Sequence, residues 1–303
     1  MVRFIKFAVV SLALFGLTLP AQGADLLNPT PVAQQDNAYE QSMFSVDSIN
    51  YEFSVLGGAF ERNDIGTASN AMFTASLASP IPFFERFGFQ TDLGIGVYDG
   101  DFTSAAAALH LFYRDPETGS VGIYGDWSYV NPEHAGRVAG EFAFYNGRWS
   151  LDVLAGMQFG QHVLTEFIDE VDLSFYFTDN FRGSVGHRLT SRGHVGNVSF
   201  ESLLNDQGFE GWSLFGEIEA GEDNYVGGFG GIRYAFGSPT TTLIERDRKS
   251  SLKVRIPRNI SSVSQCARLV NPIPATGLRG EVSTLCASES EINSRPNFGI
   301  SKD

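Results

Sequence analysis

The chain has 303 residues and a formal net charge of −14, because 35 aspartate and glutamate residues outweigh 21 lysine and arginine residues. This charge argues against nucleic acid as a partner, since phosphate binding requires lysine and arginine side chains. Aromatic residues make up 13% of the chain and glycine contributes 33 residues. The core of a soluble domain would normally show continuous apolar runs or helical periodicity. In this chain the apolar residues instead occupy alternate positions.

Residues 1–23 have the features of an export signal. Two basic residues, Arg3 and Lys6, precede an apolar run over 7–19, and small residues follow up to Gly23. We predict cleavage after Gly23. A retained membrane anchor is the alternative, but the apolar run is shorter than the roughly 20 residues that a membrane helix needs.

Residues 24–49 show no hydrophobic periodicity and are predicted to form a periplasmic leader. A different pattern follows. Between Phe87 and Val97, apolar side chains dominate alternate positions, and glycine, glutamine and aspartate occupy the positions between them. A period of two is typical of a β-strand with one apolar and one polar face. The pattern recurs through residues 50–237.

Twelve strands are predicted in this region, most of them close to the 9–11 residues that a tilted membrane strand needs. Turn-forming residues such as those at 146–147 separate them. The predicted ranges are 50–60, 71–81, 86–98, 102–114, 119–130, 136–146, 148–160, 170–178, 181–190, 194–204, 210–220 and 225–236. Alternation is weakest in 71–81 and 181–190, so eight or ten strands are alternatives.

The charged residues of the predicted strands fall on the face opposite to the apolar side chains. Only helices and closed barrels can span a membrane, because every backbone N–H and C=O must be paired internally. We therefore predict an all-β fold, an antiparallel transmembrane β-barrel over 50–237 with a lipid-facing apolar band and a polar lumen. The charged residues predicted to face the lumen are Glu52, Asp92, Asp126, Glu141, Asp152, Asp172, Glu217, Glu219, Arg137, Arg182, Arg188 and Arg233.

Alternation alone does not distinguish the inside of a barrel from its outside. A soluble exported β-barrel or sandwich, with its apolar face inward and a ligand-binding role, is therefore an alternative. Aromatic residues near predicted strand ends, such as Tyr51, Tyr113, Trp149 and Trp212, favour the membrane barrel, because aromatic girdles mark membrane interfaces.

The last predicted strand, 225–236, ends on an aromatic residue. It resembles the closing-strand signal by which Gram-negative outer-membrane proteins are recognised for assembly, and the layout of 50–237 is similar to the porin and outer-membrane β-barrel superfamily. The resemblance implies the outer membrane of a Gram-negative bacterium, the barrel assembly machinery, and contact with lipid and lipopolysaccharide. Such signals usually end the chain, whereas residues 237–303 follow here. The residues of the predicted assembly signal are Val226, Ile232, Tyr234 and Phe236.

Residues 238–303 differ in composition and are predicted to form a tail on the periplasmic side, where both ends of an even-stranded barrel lie. The basic residues between Arg246 and Arg258 are predicted to be either a solvated linker or a contact with an anionic partner such as the cell wall. Cys266 and Cys286 are the only cysteines, and in an exported protein they are predicted to form one disulfide.

Catalytic motifs are mostly absent: the chain has no phosphate-binding loop, no His-Glu-x-x-His and no Gly-x-Ser-x-Gly. We therefore predict no cofactor, no metal and no catalytic residue. The one enzyme candidate is the group Ser184, His187, Ser191 and His194, because twelve-stranded outer-membrane phospholipases use serine and histidine at the barrel rim. A serine nucleophile needs a histidine within hydrogen-bond reach. A lipid hydrolase or acyltransferase is thus an alternative function.

The expected function is passive permeation of small solutes or cations, or a structural role in the envelope. Inward carboxylates outnumber inward arginines, so a water-filled lumen would carry a negative potential and favour cations. The same inward charges could also pair across the lumen and close it.

Overall fold

Twelve antiparallel strands form a closed barrel in the computed structural model of the protein. They are β1 (Asn50–Arg62), β2 (Gly66–Ile81), β3 (Phe84–Tyr98), β4 (Phe102–Asp115), β5 (Gly119–Val130), β6 (Glu133–Asn146), β7 (Trp149–Gly160), β8 (Glu166–Thr178), β9 (Phe181–Thr190), β10 (Gly193–Leu204), β11 (Trp212–Gly221) and β12 (Tyr225–Phe236). Each strand pairs with its neighbours in sequence, and β1 pairs with β12 to close the barrel. The predicted twelve-stranded all-β barrel is confirmed.

The structure describes residues 44–62, 66–100, 102–131, 133–160, 163, 165–190, 193–204, 210–222, 224–237, 242–260 and 263. The predicted export signal and the predicted disulfide between Cys266 and Cys286 fall outside these residues and stay predictions. Within the described ranges, no helix is long and apolar enough to cross a membrane.

The weak alternation of the second predicted strand does not remove it from the barrel. β2 and β8 both begin earlier than predicted. In β2, small polar residues blur the alternation, yet the ladder continues to the pair of Gly66 with Arg62. Pro80 pairs with Gly88 next to a shift in register, and proline is tolerated at such irregularities because it has no N–H to donate.

The outer surface of the barrel is apolar. Leu93, Ile95 and Ile218 expose 58%, 63% and 69% of their surface, and large apolar side chains on most of the other strands share this outward direction. Their neighbours of opposite parity, such as Asp92, are buried inside. A continuous apolar exterior is the lipid-facing band of a membrane barrel, so the soluble alternative with its apolar face inward is wrong.

The barrel has two rims. The terminal rim carries Asn50 at the start of β1 and Phe236 at the end of β12, and the distal rim carries Arg62 at the end of β1 and Gly66 at the start of β2. Aromatic pairs surround the terminal rim on the outside. Tyr51 stacks on Phe236 with ring centroids 5.1 Å apart, and Trp212 lies 4.9 Å from Tyr234. Such pairs form the girdle expected at a membrane interface.

A short helix and the chain that follows it lie inside the barrel. The helix α1 (Leu243–Lys249) starts after Thr242, whose Oγ1 accepts a hydrogen bond from the backbone N–H of Glu245 at 3.3 Å. Residues 251–255 have no regular secondary structure, and 256–260 are helical. We call residues 242–260 together with Val263 the lumen segment.

The position of the lumen segment corrects the sequence analysis, which assigned these residues to a periplasmic tail outside the barrel. Leu243, Ile256 and Ile260 have no exposed surface. Arg246 and Arg258 are not part of a solvated linker, because they bind carboxylates of the strands. The physical reason is charge: carboxylates buried in the lumen are costly unless a cation pairs with them. Contact of other basic residues with the cell wall stays a prediction.

The last residues of the predicted leader also have a defined place. Val46 is fully buried at the terminal rim and packs in a cluster with Ala78 and Phe112. The backbone N–H of Asp47 donates to the carbonyl of Lys249 at 2.9 Å. The C-terminal end of the leader therefore contacts both the barrel and the end of α1.

Candidate functional site: the occupied lumen

The lumen segment begins at the terminal rim. The N–H of Ile244 donates to the carbonyl of Asp179 at 3.1 Å, and the N–H of Leu243 donates to Oδ1 of Asn180 at 3.3 Å, both in the turn between β8 and β9. Nη2 of Arg248 donates to the carbonyl of Gly147 at 2.7 Å, in the turn between β6 and β7. These contacts anchor α1 to two turns of the terminal rim.

Glu201 of β10 is the centre of an arginine cluster. Its carboxylate accepts hydrogen bonds from Arg246 of the lumen segment at 2.5 Å, from Arg233 at 2.8 Å and from Arg182 at 3.0 Å. Arg233 also pairs with Glu52 of β1 at 2.9 Å. Charge-assisted hydrogen bonds of this kind are the strong ones in a low-dielectric interior, so the cluster ties α1 to β1, β9, β10 and β12.

Arg258 lies among three carboxylates in the interior of the barrel. Its Nε and Nη2 donate to Glu217 at 2.7 and 2.6 Å, and its Nη1 donates to Asp172 at 2.7 Å. Nη1 also donates to Glu170. The side chain is almost completely buried. One guanidinium group therefore binds acidic residues of both β8 and β11.

Two further cations of the lumen segment share these carboxylates. Arg255 donates to Glu170 at 2.6 Å, and Lys253 donates to Asp172 at 2.5 Å. Removing one partner of a buried ion pair costs about 3–5 kcal/mol, because the other charge is left without compensation. The lumen segment and the acidic face of β8 thus depend on each other for stability.

Asn259 continues the contacts with polar groups on β5 and β6. Its Nδ2 donates to the hydroxyl of Tyr124 at 2.8 Å and to Asp126 at 2.6 Å, and its Oδ1 accepts a hydrogen bond from Arg137. All polar atoms of this amide are satisfied by the barrel, so the helical turn 256–260 has a specific orientation in the lumen.

The distal end of the lumen segment is apolar. Ile260 and Val263 are buried in a cluster that includes Phe60, Tyr98 and Tyr225, which lie near the distal ends of β1, β3 and β12. The ring of Phe60 lies 5.9 Å from that of Tyr98 and 6.0 Å from that of Tyr225. Apolar packing therefore fills the lumen near the distal rim. Further inside the barrel, ion pairs hold the segment against the strands.

Little empty volume remains in the lumen. A cavity of about 90 Å³, lined by Asp152, Lys253 and other polar groups, lies between the segment and the strands, and another of about 20 Å³ lies beside Asn259. A cavity needs about 10–15 Å³ on this measure to hold one water, so the smaller space has room for about one water and the larger for a small group of waters. A cavity of about 230 Å³ lies at the terminal rim beside Glu52 and Arg246.

Gly94 of β3 provides a test of how tightly the segment fits. A Cβ added at Gly94 would lie 2.7 Å from Cγ2 of Ile256, whereas one at Gly140 would have its nearest neighbour, the carbonyl of Ala155, at 4.0 Å. We expect Gly94→Ala to destabilise the docked segment by about 1–3 kcal/mol, the usual range for overpacking. Hydrogen exchange at the amides of 256–260 should then accelerate roughly tenfold or more. Gly140→Ala should leave the exchange unchanged, and equal rates in the two variants would contradict the tight fit.

The charged residues that the sequence analysis assigned to the lumen lie at the alternate strand positions whose side chains face inward. Beyond the contacts already described, His110 of β4 bridges two of them, since its ring nitrogens lie 3.2 Å from Asp92 and 2.9 Å from Glu141. Arg188 pairs with Glu219 at 2.5 Å. The barrel thus brings these residues together in pairs, and the lumen segment joins most of the pairs.

The sequence analysis missed Glu170 and Glu201, two of the main partners of the segment. Both have the parity of the polar face in their strands, and both are buried. The alternation was sufficient to find them. It missed their role because nothing local in β8 or β10 indicates a cation supplied from a distant part of the chain. Arg114 was missed likewise, and its Nη1 donates to the carbonyls of Arg248 and Ser250, each at 3.2 Å.

The residues proposed for a lipid hydrolase do not come together in the described part of the chain. Ser184 is inward and buried, 2.8 Å from the hydroxyl of Ser174, whereas His187 lies on the outward face of the same strand. His187 instead lies 2.9 Å from His194, another outward residue. Neither histidine can act as the base for Ser184. Ser191 lies outside the described residues, and no group of three or more metal-ligating residues occurs within them.

Comparison with known proteins gives likeness of fold only. No protein-family model matches the chain, and no curated protein matches it. The KdgM porin is 11% identical, with 60% of this chain and 99% of that chain covered at a TM-score of 0.45. An outer-membrane channel from Pseudomonas putida F1 is 9% identical, with 68% and 100% covered at 0.47. Outer-membrane phospholipase A from Escherichia coli is 11% identical, with 65% and 96% covered at 0.43.

The class of the protein follows from its own surface and lumen. A closed, even-stranded antiparallel barrel with an apolar exterior, an aromatic girdle and a polar interior meets the requirements for crossing a bilayer with strands. The chain forms a closed twelve-stranded β-barrel of the kind that crosses a membrane, and part of its own C-terminal region occupies the lumen.

Proposed function

We propose that this barrel is a conduit for small solutes or cations that its own lumen segment holds closed. The observation that carries the proposal is the set of ion pairs between Arg258 and the carboxylates of Glu170, Asp172 and Glu217, which fastens the segment across the interior. The cavities described between the segment and the strands measure about 90 and 20 Å³, so we expect solutes to pass only when the segment moves.

The charge balance of the lumen suggests what an open state would pass. The inward faces of the strands carry more carboxylates than arginines, and Arg246, Lys253, Arg255 and Arg258 offset this excess while the segment is in place. When the segment leaves, the strand carboxylates lose these partners and the lumen becomes negative. A negative lumen concentrates cations, so cation preference belongs to the open state.

Planar-bilayer recording of the purified wild-type protein tests the proposal. We expect a closed barrel at low voltage and discrete cation-preferring openings at higher voltage, with the reversal potential in a salt gradient reporting the preference. A large steady conductance at low voltage would contradict the closure, and a clear anion preference of the openings would contradict the charge argument.

A structural role in the envelope is the second candidate, and the closed lumen favours it as well. The two roles differ in their response to voltage, because a conduit must open in the wild-type protein and a structural barrel need not. A wild-type barrel that stays silent at every voltage the bilayer withstands would favour the structural role.

The outer face suggests the partners of the folded barrel. Val226, Ile232 and Phe236 are exposed on the outward face of β12, and Tyr234 shares that face. We propose that this strand serves as the assembly signal, and that the apolar exterior contacts lipid and lipopolysaccharide. These four outward side chains do not face the lumen, so their substitution should affect assembly and leave the closure of the assembled barrel unchanged.

A further inference from the structure

We propose that this chain crosses the outer membrane through its own barrel. It enters the lumen at the terminal rim and leaves it at the distal rim, so that the residues after Val263 are presented at the cell surface. The inference goes beyond the proposed conduit, since it concerns the topology of the chain and holds whether or not the barrel ever opens.

The contacts with β8 show the direction of the path. This strand runs from the distal rim at Glu166 to the terminal rim at Thr178. Near its terminal end, the hydroxyl of Tyr176 donates to Asp247 of the lumen segment at 2.8 Å. Nearer its distal end, Glu170 accepts a hydrogen bond from Arg255 at 2.6 Å. As the numbering of the segment rises, its contacts move toward the distal rim.

The neighbouring strand β9 runs in the opposite direction and indicates the same path. Arg182, near its start at the terminal rim, contacts Asp247. Arg188, two positions before its end at the distal rim, donates to the carbonyl of Arg258 at 3.2 Å. The contacts with both strands thus indicate that the segment runs along the barrel from the terminal rim toward the distal rim.

The described part of the lumen segment is tightly enclosed by the strands. Ile260 and Val263 are buried in the apolar cluster near the distal rim. Two cavities described between the segment and the strands measure about 90 and 20 Å³, which is room for waters. A second pass of polypeptide toward the terminal rim does not fit into either of them. The chain therefore continues past the distal rim.

The orientation of the barrel assigns the distal rim to the outside. An even number of strands brings both ends of the barrel to one rim, and in single-chain bacterial barrels of this kind we take that rim to face the periplasm, from which the chain is inserted. The composition of the following chain agrees with an aqueous location. Residues 264–303 contain a single aromatic residue, Phe298, beside six serine and eight charged residues.

Thiol labelling of intact cells tests the topology. In a Cys266→Ser variant, Cys286 is the one cysteine of the chain. We expect a membrane-impermeant maleimide to label it on intact cells. Two controls in a Cys266→Ser, Cys286→Ser background lie in exposed turns at the two ends of β5: Asn131→Cys at the distal rim and Glu117→Cys at the terminal rim. Asn131→Cys should be labelled on intact cells, and Glu117→Cys only after the outer membrane has been permeabilised.

Labelling of Cys286 only after permeabilisation, as for Glu117→Cys, would overturn the topology. Trypsin treatment of intact wild-type cells gives a second measurement without any substitution. We expect the chain beyond Arg268 to be removed while the barrel keeps its heat-dependent shift in SDS gel mobility, and a chain cut only in permeabilised cells would also overturn the proposal. Neither readout depends on conductance, so failure of the topology and failure of the proposed conduit are distinguishable.

Discussion

Arg258→Glu is expected to open the barrel to ions. The new carboxylate would lie among Glu170, Asp172 and Glu217, which now bind the guanidinium group at hydrogen-bond distance. Loss of one partner from a buried ion pair costs about 3–5 kcal/mol, so the docked population should fall by roughly two to four orders of magnitude relative to the released one. Planar-bilayer recording should then show stepwise openings at low voltage with cation preference.

Two further variants control for a general effect of charge reversal. Lys249→Glu makes the same reversal of charge at the end of α1. Lys249 is partly exposed, and its Nζ lies 3.9 Å from a carboxylate oxygen of Glu245, so this variant should leave the barrel closed. The exchange Arg258→Glu with Glu217→Arg restores opposite charges across one contact and should restore closure in part. An Arg258→Glu barrel that keeps its heat-dependent gel shift but stays silent would contradict the view that these ion pairs hold the segment.

Leu93→Arg is expected to destabilise the barrel by about 2–4 kcal/mol, the range for a cationic side chain on the lipid face near the middle of the membrane. Leu93 lies on the outward face in the central part of β3, between Ala75 and Ala107 of the neighbouring strands. The guanidinium group would replace an apolar side chain in contact with lipid. Unfolding by urea in phospholipid vesicles measures the change in the free energy of unfolding.

Val97→Arg is the matched control for depth. Val97 shares the strand and the outward face with Leu93 but lies one position before the distal end of β3. Its replacement should cost about 0–1 kcal/mol, because the penalty falls toward the membrane interface. Equal costs at the two positions would mean that the outer face of β3 does not meet the bilayer as described.

The hydrophobic pattern was sufficient to predict the strands and their two faces. Alternation through Phe87–Val97 reports a local property, since successive side chains of a strand point to opposite sides wherever the strand is placed. Errors arose where that local signal weakened. β2 extends to Gly66 through small polar residues, and its continuation depends on the ladder with β1, which the residues of β2 alone do not reveal.

The pairing of Ser184 with His187 was wrong for a related reason. Ser184 and His187 are close in sequence, but an odd number of positions in one strand separates them, so they face opposite sides of the barrel wall. Proximity in sequence indicates a shared site only when the period of the element brings both side chains to one face.

The sequence by itself determined the fold class of the protein, because strand periodicity and the parity of charged residues are local features. Only the tertiary structure decided that the lumen is occupied. Arg258 is separated by 88, 86 and 41 residues from Glu170, Asp172 and Glu217, and no periodicity links a short helix after the last strand to carboxylates on β8 and β11. The sequence around Gly94 likewise does not show why this residue is small: a Cβ there would collide with Ile256 of the lumen segment. Pairing at such separations depends on closure of the barrel, which first brings the acidic faces of distant strands around one space that a cationic segment can fill.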